Sequence, residues 1–307
     1  MKRYLFSILL ILAMPPDFSY AAFSSDYAGA AGAQFLKFGP QARAYGMAEA
    51  FSASAADSSA IYWNPAGLAR FEGRQVSFTH ASMFESINYE WLSYAFKTGF
   101  GATGFGLQRL SYGSITARDV SGKAEGSLEP ADMCISAGAA GKNIIFKNLS
   151  LGISIKYISS QISEKASAYA FDAGAVYEMS KKTFFSFTAQ NFGSSLKYRN
   201  LSDPLPFIMR FAMAHRPAQE FLLEADIVAP SDSDTWFSAG SEYSKKMGKN
   251  LIGSVRAGYS SSMRDLGGSR GFAMGFGLIY SGYSFDYAYT PYGELGNTSR
   301  FSLSVSF

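Results

Sequence analysis

The side chains able to do acid–base, nucleophilic or metal chemistry are few and scattered. There are two histidines, His80 and His215, and one cysteine, Cys134. Both histidines fall near the ends of predicted strands, in register with apolar residues and without a nucleophile beside them in the sequence. No His-Glu-x-x-His helix and no Cys/His ligand spacing is present. Cys134 lies on the small-residue face of its strand and reads as a filler. The sequence therefore predicts no catalytic residue, no metal and no cofactor.

The groups with the most regular placement are charges. Lys156, Asp172, Arg210, Glu224, Asp226, Glu242, Arg256, Asp286 and Arg300 all occupy the polar positions of stretches that alternate apolar and polar residues. If the apolar face meets lipid, every one of these charges points the other way. That is expected, because a Lys or Arg on the lipid side costs about 2–4 kcal/mol at the midplane. Simple hairpin symmetry pairs them: folding about Glu164 sets Lys156 opposite Asp172, folding about Pro217 sets Arg210 opposite Glu224, and folding about Gly293 sets Asp286 opposite Arg300. The chemistry predicted is a lumen laced with cross-strand ion pairs. Such pairs serve to hold the wall together, or to line a path for a polar solute.

The elements that carry these residues follow from pattern and composition. Of 307 residues 48% are hydrophobic and 16% aromatic. Only 17% are charged, the net charge is +3 and the mean hydropathy is 0.00. High aromatic content excludes disorder, one cysteine excludes an internal disulfide, and zero mean hydropathy argues against several membrane helices. The basic residues form no block, so nucleic acid is not an expected partner. From Arg74 onward the period is two, as in Phe301, Leu303, Val305 and Phe307 against Arg300, Ser302, Ser304 and Ser306. About 14 such runs follow, each near the ten residues that a tilted strand needs to cross a bilayer. Short connections alternate with long ones. The pattern predicts an all-β fold, a 14-stranded antiparallel transmembrane β-barrel over 74–307, with outer-membrane lipid around it.

The two ends of the chain support that location. Lys2 and Arg3, the apolar run Tyr4–Met14 and the small residues of Ser19-Tyr20-Ala21 make residues 1–21 a secretory signal peptide. The aromatic C-terminal residue Phe307 resembles the signal by which the outer-membrane assembly machinery selects its substrates. The localisation predicted is the outer membrane of a Gram-negative bacterium.

Residues 22–73 differ from the rest, being rich in Ala, Ser and Gly. Asp57 is placed to cap a short helix over Ser58–Trp63, and Asn64 to cap a second, with Pro65 at its first position. The stretch Ala42-Arg43-Ala44-Tyr45-Gly46 through Ile61-Tyr62-Trp63-Asn64-Pro65-Ala66-Gly67-Leu68-Ala69 resembles the N-terminal signature of the PorV/PorQ family. More distantly, Asn64, Pro65, Ala66 and Gly67 resemble a motif of the FadL-type outer-membrane transporters. The resemblance implies a barrel whose N-terminal segment, containing short helices, folds inward as a plug.

In FadL-type proteins a hydrophobic molecule binds in the lumen and leaves sideways through a kinked third strand. The third strand of this chain holds Gly101, Gly104 and Gly106; glycine weakens strand pairing, so these residues serve either a kink that opens the wall or room in the lumen for the plug. In PorV-type proteins the barrel instead serves type IX protein secretion without transporting. The resemblance thus offers two partners, a hydrophobic ligand or a secreted protein. A transporter should show an apolar pocket beside the plug and a gap in the wall. A secretion scaffold should show a closed wall and a lumen filled with ion pairs.

Overall fold

Strands that are apolar on one face and polar on the other satisfy both faces and all backbone groups by closing into a ring. The computed structural model of the chain describes residues 29–84, 86–162, 164–199, 201–262, 271–292 and 296–307. In chain order the strands are β1 (Arg74–Ser82), β2 (Asn88–Thr98), β3 (Gly101–Ser111), β4 (Ile115–Arg118), β5 (Ala124–Leu128) and β6 (Ala131–Lys142). They continue as β7 (Leu149–Gln161), β8 (Lys165–Glu178), β9 (Thr183–Gly193), β10 (Leu196–Tyr198), β11 (Leu201–Asp203) and β12 (Ile208–His215). The last are β13 (Phe221–Pro230), β14 (Trp236–Lys246), β15 (Leu251–Ser260), β16 (Phe272–Tyr280), β17 (Tyr283–Pro291) and β18 (Asn297–Ser306). β4–β5 and β10–β11 are separate two-stranded hairpins, and the other fourteen strands form a closed antiparallel barrel in which β1 pairs with β18. The two hairpins lie in stretches whose composition predicts plain loops. Phe307 follows β18 at this seam and exchanges backbone hydrogen bonds with Arg74 (3.1 and 2.9 Å). The signal peptide 1–21, residues 22–28 of the predicted plug and the pivot Gly293 lie outside the described residues.

The connections at one end of the barrel, which also holds Arg74 and Phe307, are two to six residues long. Those at the other end include the long stretches 112–130 and 194–207. We call these the turn end and the loop end.

The alternation sorts the wall into two chemically opposite faces. Ile153 (68% exposed), Ile155, Phe211, Ile227, Phe237, Val255 and Leu303 point outward. The nine charges named above all point inward and are buried, none more than 7% exposed, whereas Glu90 and Arg109, paired near the loop end, lie on the outward face.

The register corrects the hairpin arithmetic. Lys156 faces Ala170 while Asp172 faces Ser154. Arg210 faces Val228 while Glu224 faces Ala214. Asp286 faces Ser302 while Arg300 faces Ala288. Alternation fixes which face a residue takes but not its partner: moving a turn's centre by one residue moves every partner by two, onto the same face. Here β7 and β8 stay paired as far as Gln161 and Lys165, which centres their turn one residue before Glu164. The β12–β13 turn closes through Phe221 N–H donating to the Ala218 carbonyl (3.3 Å), beyond Pro217.

Candidate functional site

The lumen is filled by the N-terminal segment. Described from Gly29 at the loop end, it passes down the barrel and meets the wall at Arg74 at the turn end. It carries a 3-10 turn (Gln34–Lys37), two short helices (Ala42–Gly46 and Ala60–Trp63) and a second 3-10 turn (Pro65–Arg70). The Asp57 carboxylate accepts from the Ser59 N–H (2.9 Å) and hydroxyl (2.5 Å) and so shapes the turn before the second helix.

Asn64, Pro65, Ala66 and Gly67 form the tightest part of the insert. Asn64 is fully buried; its Oδ1 accepts from the Ala66 N–H (3.0 Å) and its Nδ2 donates to the Ala175 carbonyl of β8 (3.2 Å). Pro65 opens the 3-10 turn, where its missing N–H leaves no donor unpaired. The wall is cut away to receive this motif. A Cβ on Gly152 would overlap Pro65 and Ala66, and one on Gly174 would overlap Asn64 Oδ1. On the opposite wall Gly240, Gly258 and Gly275 make the same room for Gly46 and Met47.

The glycines of β3 serve packing as well, the second of the two readings of these residues, and no kink is present. β3 pairs without interruption with β2 from Gly101 to Ser111 and with β6 from Ala102 to Ser111. Gly104 abuts Leu68, Gly106 leaves room for the Trp91 ring, and Gly101 lies against Ala140. The barrel wall's irregularity lies instead between β8 and β9, where the register shifts between Phe171 and Ala173. Asn191 sits there with φ 62°, and its N–H donates to Asp172 Oδ1 (2.8 Å), so side chains seal the bulge.

The predicted ion-pair residues face the insert more than one another. Lys156 does reach Asp172, diagonally (2.7 Å), and also donates to Asn191 Oδ1 (2.7 Å). Arg210 and Glu224 are not brought together. Arg210 donates to Gln190 Oε1 (3.0 Å) and lies over the Trp63 ring (5.3 Å). Glu224 accepts from the backbone N–H of Ala53 (2.6 Å) and Ser54 (3.2 Å), and Asp226 accepts from that of Ser52 (3.2 Å). Asp286 pairs with Arg256 (2.7 Å), not with Arg300. Arg300 donates to the Gly39 carbonyl (2.5 Å) and lies over Tyr45 (3.5 Å) and Tyr89 (4.7 Å). Arg256 also holds Glu242 (2.6 Å), which is shared with Arg43 of the insert. Alternation cannot see the bonds to the insert, because those partners lie in a segment with no strand pattern, and it leaves the wall-to-wall partners undetermined because it does not fix the register.

The lumen holds a polar cavity at one end and a buried apolar cluster that reaches the other. Toward the turn end a cavity of about 190 Å³ is lined by charged and hydroxyl groups, among them Arg43, Asp57, Glu242, Arg256 and Asp286. Toward the loop end Phe35, Leu36, Tyr62, Tyr89, Trp91 and Leu110 belong to one buried apolar cluster. The polar groups there hold the insert: Gln108 Nε2 donates to the carbonyls of Phe35 (2.8 Å) and Phe38 (2.9 Å), and the Tyr62 hydroxyl to that of Leu36 (3.0 Å). Neither pattern nor motif singles out Gln108, and Tyr62, though inside the quoted motif, has no role assigned by it. Among the described residues no cluster of His, Cys, Asp and Glu could hold a metal ion.

The fold, a closed fourteen-stranded barrel around an inserted N-terminal segment, has counterparts among solved outer-membrane barrels. Solved structures with this fold include the toluene transporter TbuX of Ralstonia pickettii, at 13% identity and TM-score 0.57, covering 88% of this chain and 98% of that one. The toluene transporter TodX of Pseudomonas putida matches at 12% identity and TM-score 0.58, over 87% of this chain and 96% of that one. A FadL homologue of Pseudomonas aeruginosa matches at 12% identity and TM-score 0.54, over 86% and 97%. At such identities the likeness is one of fold. The model of an uncharacterised protein family, UPF0164, matches residues 33–169, which span the insert and the wall as far as β8. No curated protein sequence matches the chain.

Proposed function

We propose that this protein is an outer-membrane channel for hydrophobic small molecules, closed in the conformation described, with its loop end facing outward. The observation that carries the reading is the buried apolar cluster that reaches the loop end of the lumen, where Phe35 and Leu36 lie with Tyr62, Tyr89, Trp91 and Leu110. Aromatic and aliphatic side chains near the outer mouth suit capture of an apolar solute from water, since each Å² of apolar surface buried there contributes about 25 cal/mol. The fold shared with barrels described as toluene transporters supports the same reading.

A second reading, a PorV-type component of a type IX-like secretion or surface-attachment system, is favoured by the unbroken β3 and the charge-filled turn end. Native mass spectrometry of the barrel extracted from its own membrane separates the two. A bound small hydrophobic molecule is expected for the channel. A stoichiometric bound protein with an empty lumen would overturn the channel in favour of the scaffold.

A further inference from the structure

The rim of the barrel at the turn end is charged on one side only. The β6–β7, β8–β9, β12–β13 and β14–β15 turns lie next to one another around the barrel. Residues 142–148, 178–183, 215–221 and 245–251, which form them, hold eight lysines and arginines and two acids, Glu178 and Glu220. Glu178 takes Lys142 (2.7 Å), and the other seven cations make no ion pair among the described residues. The rest of the rim holds Arg74 and Lys97 against Glu72, with Lys97 and Glu72 paired. The loop end has the opposite bias: its 112–130 and 231–235 connections carry five acids and two bases.

Three of the four basic turns also expose apolar side chains among their cations. Ile144, Ile145 and Phe146 stand between Lys142 and Lys147, Met179 precedes Lys181 and Lys182, and Met247 stands between Lys246 and Lys249. Turns surrounded by water favour Gly, Pro, Asn, Asp and Ser instead. Ile144 folds back on the wall, its Cδ1 3.1 Å from where a Cβ on Gly141 would stand. Gly141 pairs with Leu151, which has the same parity as the outward Ile153 and Ile155. The apolar tip of this turn thus continues the outward apolar face, and the lysines begin where that face ends.

On the membrane-spanning reading, we propose that this arc of the rim binds anionic phospholipid headgroups of the leaflet at the turn end. The apolar tips enter the boundary of the acyl chains. The lysines lay their methylene stems along that boundary and carry their ammonium groups to the phosphate oxygens. A zwitterionic headgroup brings its own ammonium and offsets the arc's charge less well. An acidic peptide would match the charge but would leave the apolar tips in water. The acid-rich loop end has no such attraction, so the arc also sets which end of the barrel meets an anionic leaflet.

The test uses the full-length barrel folded into phosphatidylcholine vesicles with a trace of spin-labelled phosphatidylglycerol or spin-labelled phosphatidylcholine. Electron spin resonance measures the share of each label held at the protein. The parent is expected to hold phosphatidylglycerol at least about twofold more tightly than phosphatidylcholine at low salt. The preference should fade at 1 M salt, where the screening length is about 3 Å. Lys181→Glu, Lys245→Glu and Lys249→Glu together should abolish it. Lys123→Glu, Lys165→Glu and Lys197→Glu, the same charge change made at the loop end, should leave it in place.

Equal holding of both labels by the parent, or a preference that 1 M salt leaves unchanged, overturns the proposal while the membrane reading stands. These two measurements need no variant, so they decide even if a triple variant fails to fold. Equal loss in both triple variants also overturns it, since net charge and not the arc would then be responsible. If the labels are held equally while polyglutamate binds the parent and not the turn-end variant, the arc serves an acidic peptide and the lipid proposal falls. If no label is held by any folded form, the membrane reading falls and takes this inference with it.

Discussion

Arg43 and Glu242 are separated by 199 residues of chain and joined by two parallel bonds, Nε to Oε2 and Nη2 to Oε1, each 2.8 Å. The fork places one side chain of the insert against one of the wall in fixed geometry. Glu242 is also held by Arg256, which reaches on to Asp286, so four charges from four elements form one chain. Removing the shared carboxylate leaves two guanidinium groups short of a partner. Glu242→Ala is expected to destabilise the barrel by about 3–5 kcal/mol. A lowered urea midpoint in lipid vesicles measures this, and an unchanged midpoint contradicts the assigned role.

Gly174 and Asn64 are expected to be coupled. Gly174→Ala drives a methyl group into Asn64 Oδ1 and should cost about 1–3 kcal/mol. Asn64→Ala removes a buried cap and should cost about 0.5–2 kcal/mol. In the double variant the methyl group finds space where the amide stood, so the combined loss should fall short of additivity by at least about 0.5 kcal/mol. A double-mutant cycle on thermal unfolding checks this. Gly99→Ala, with open space around its Cβ, serves as the silent control.

Glu224 and Asp226 grip the backbone at Ser52–Ser54 and so seat the insert. Bonds to charged groups contribute about 1.5–3 kcal/mol each. Replacing both carboxylates by alanine should loosen the insert while the wall ladder persists. In planar bilayers the double variant is expected to pass small ions at several times the parent's conductance. Equal conductance with a folded barrel would show that the insert is seated by other contacts alone.

The outward face tests the membrane reading itself. Phe211 is 51% exposed on the apolar wall. Phe211→Arg is expected to cost about 2–4 kcal/mol if that face meets lipid. Val120→Arg, at the fully exposed tip of the β4–β5 hairpin, should be silent. Folding yield into vesicles, compared for the two variants, decides: equal yields would contradict a lipid-facing wall.

The sequence by itself determined the class of the fold, and did so through one quantity, the parity of each residue in a strand. Parity assigns a face, so the fourteen strands and the inward turn of the nine buried charges are legible from alternation. Partners were not. Arg210 and Glu224 share a face, yet one meets Gln190 and Trp63 while the other meets the backbone of Ala53 and Ser54. A pattern of period two leaves the register free by steps of two, and it carries no information about an insert with no strand period. The Asn64–Gly67 turn could be read locally, because a cap and a proline act on their nearest neighbours. Its seat on Gly152 and Gly174, the regular course of β3, and the hold of Gln108 and Tyr62 on the carbonyls of Phe35, Leu36 and Phe38 came only with the closed barrel. They depend on which wall residues lie against which part of the insert, and that is set by ring closure and packing, not by any stretch of chain short enough to read alone.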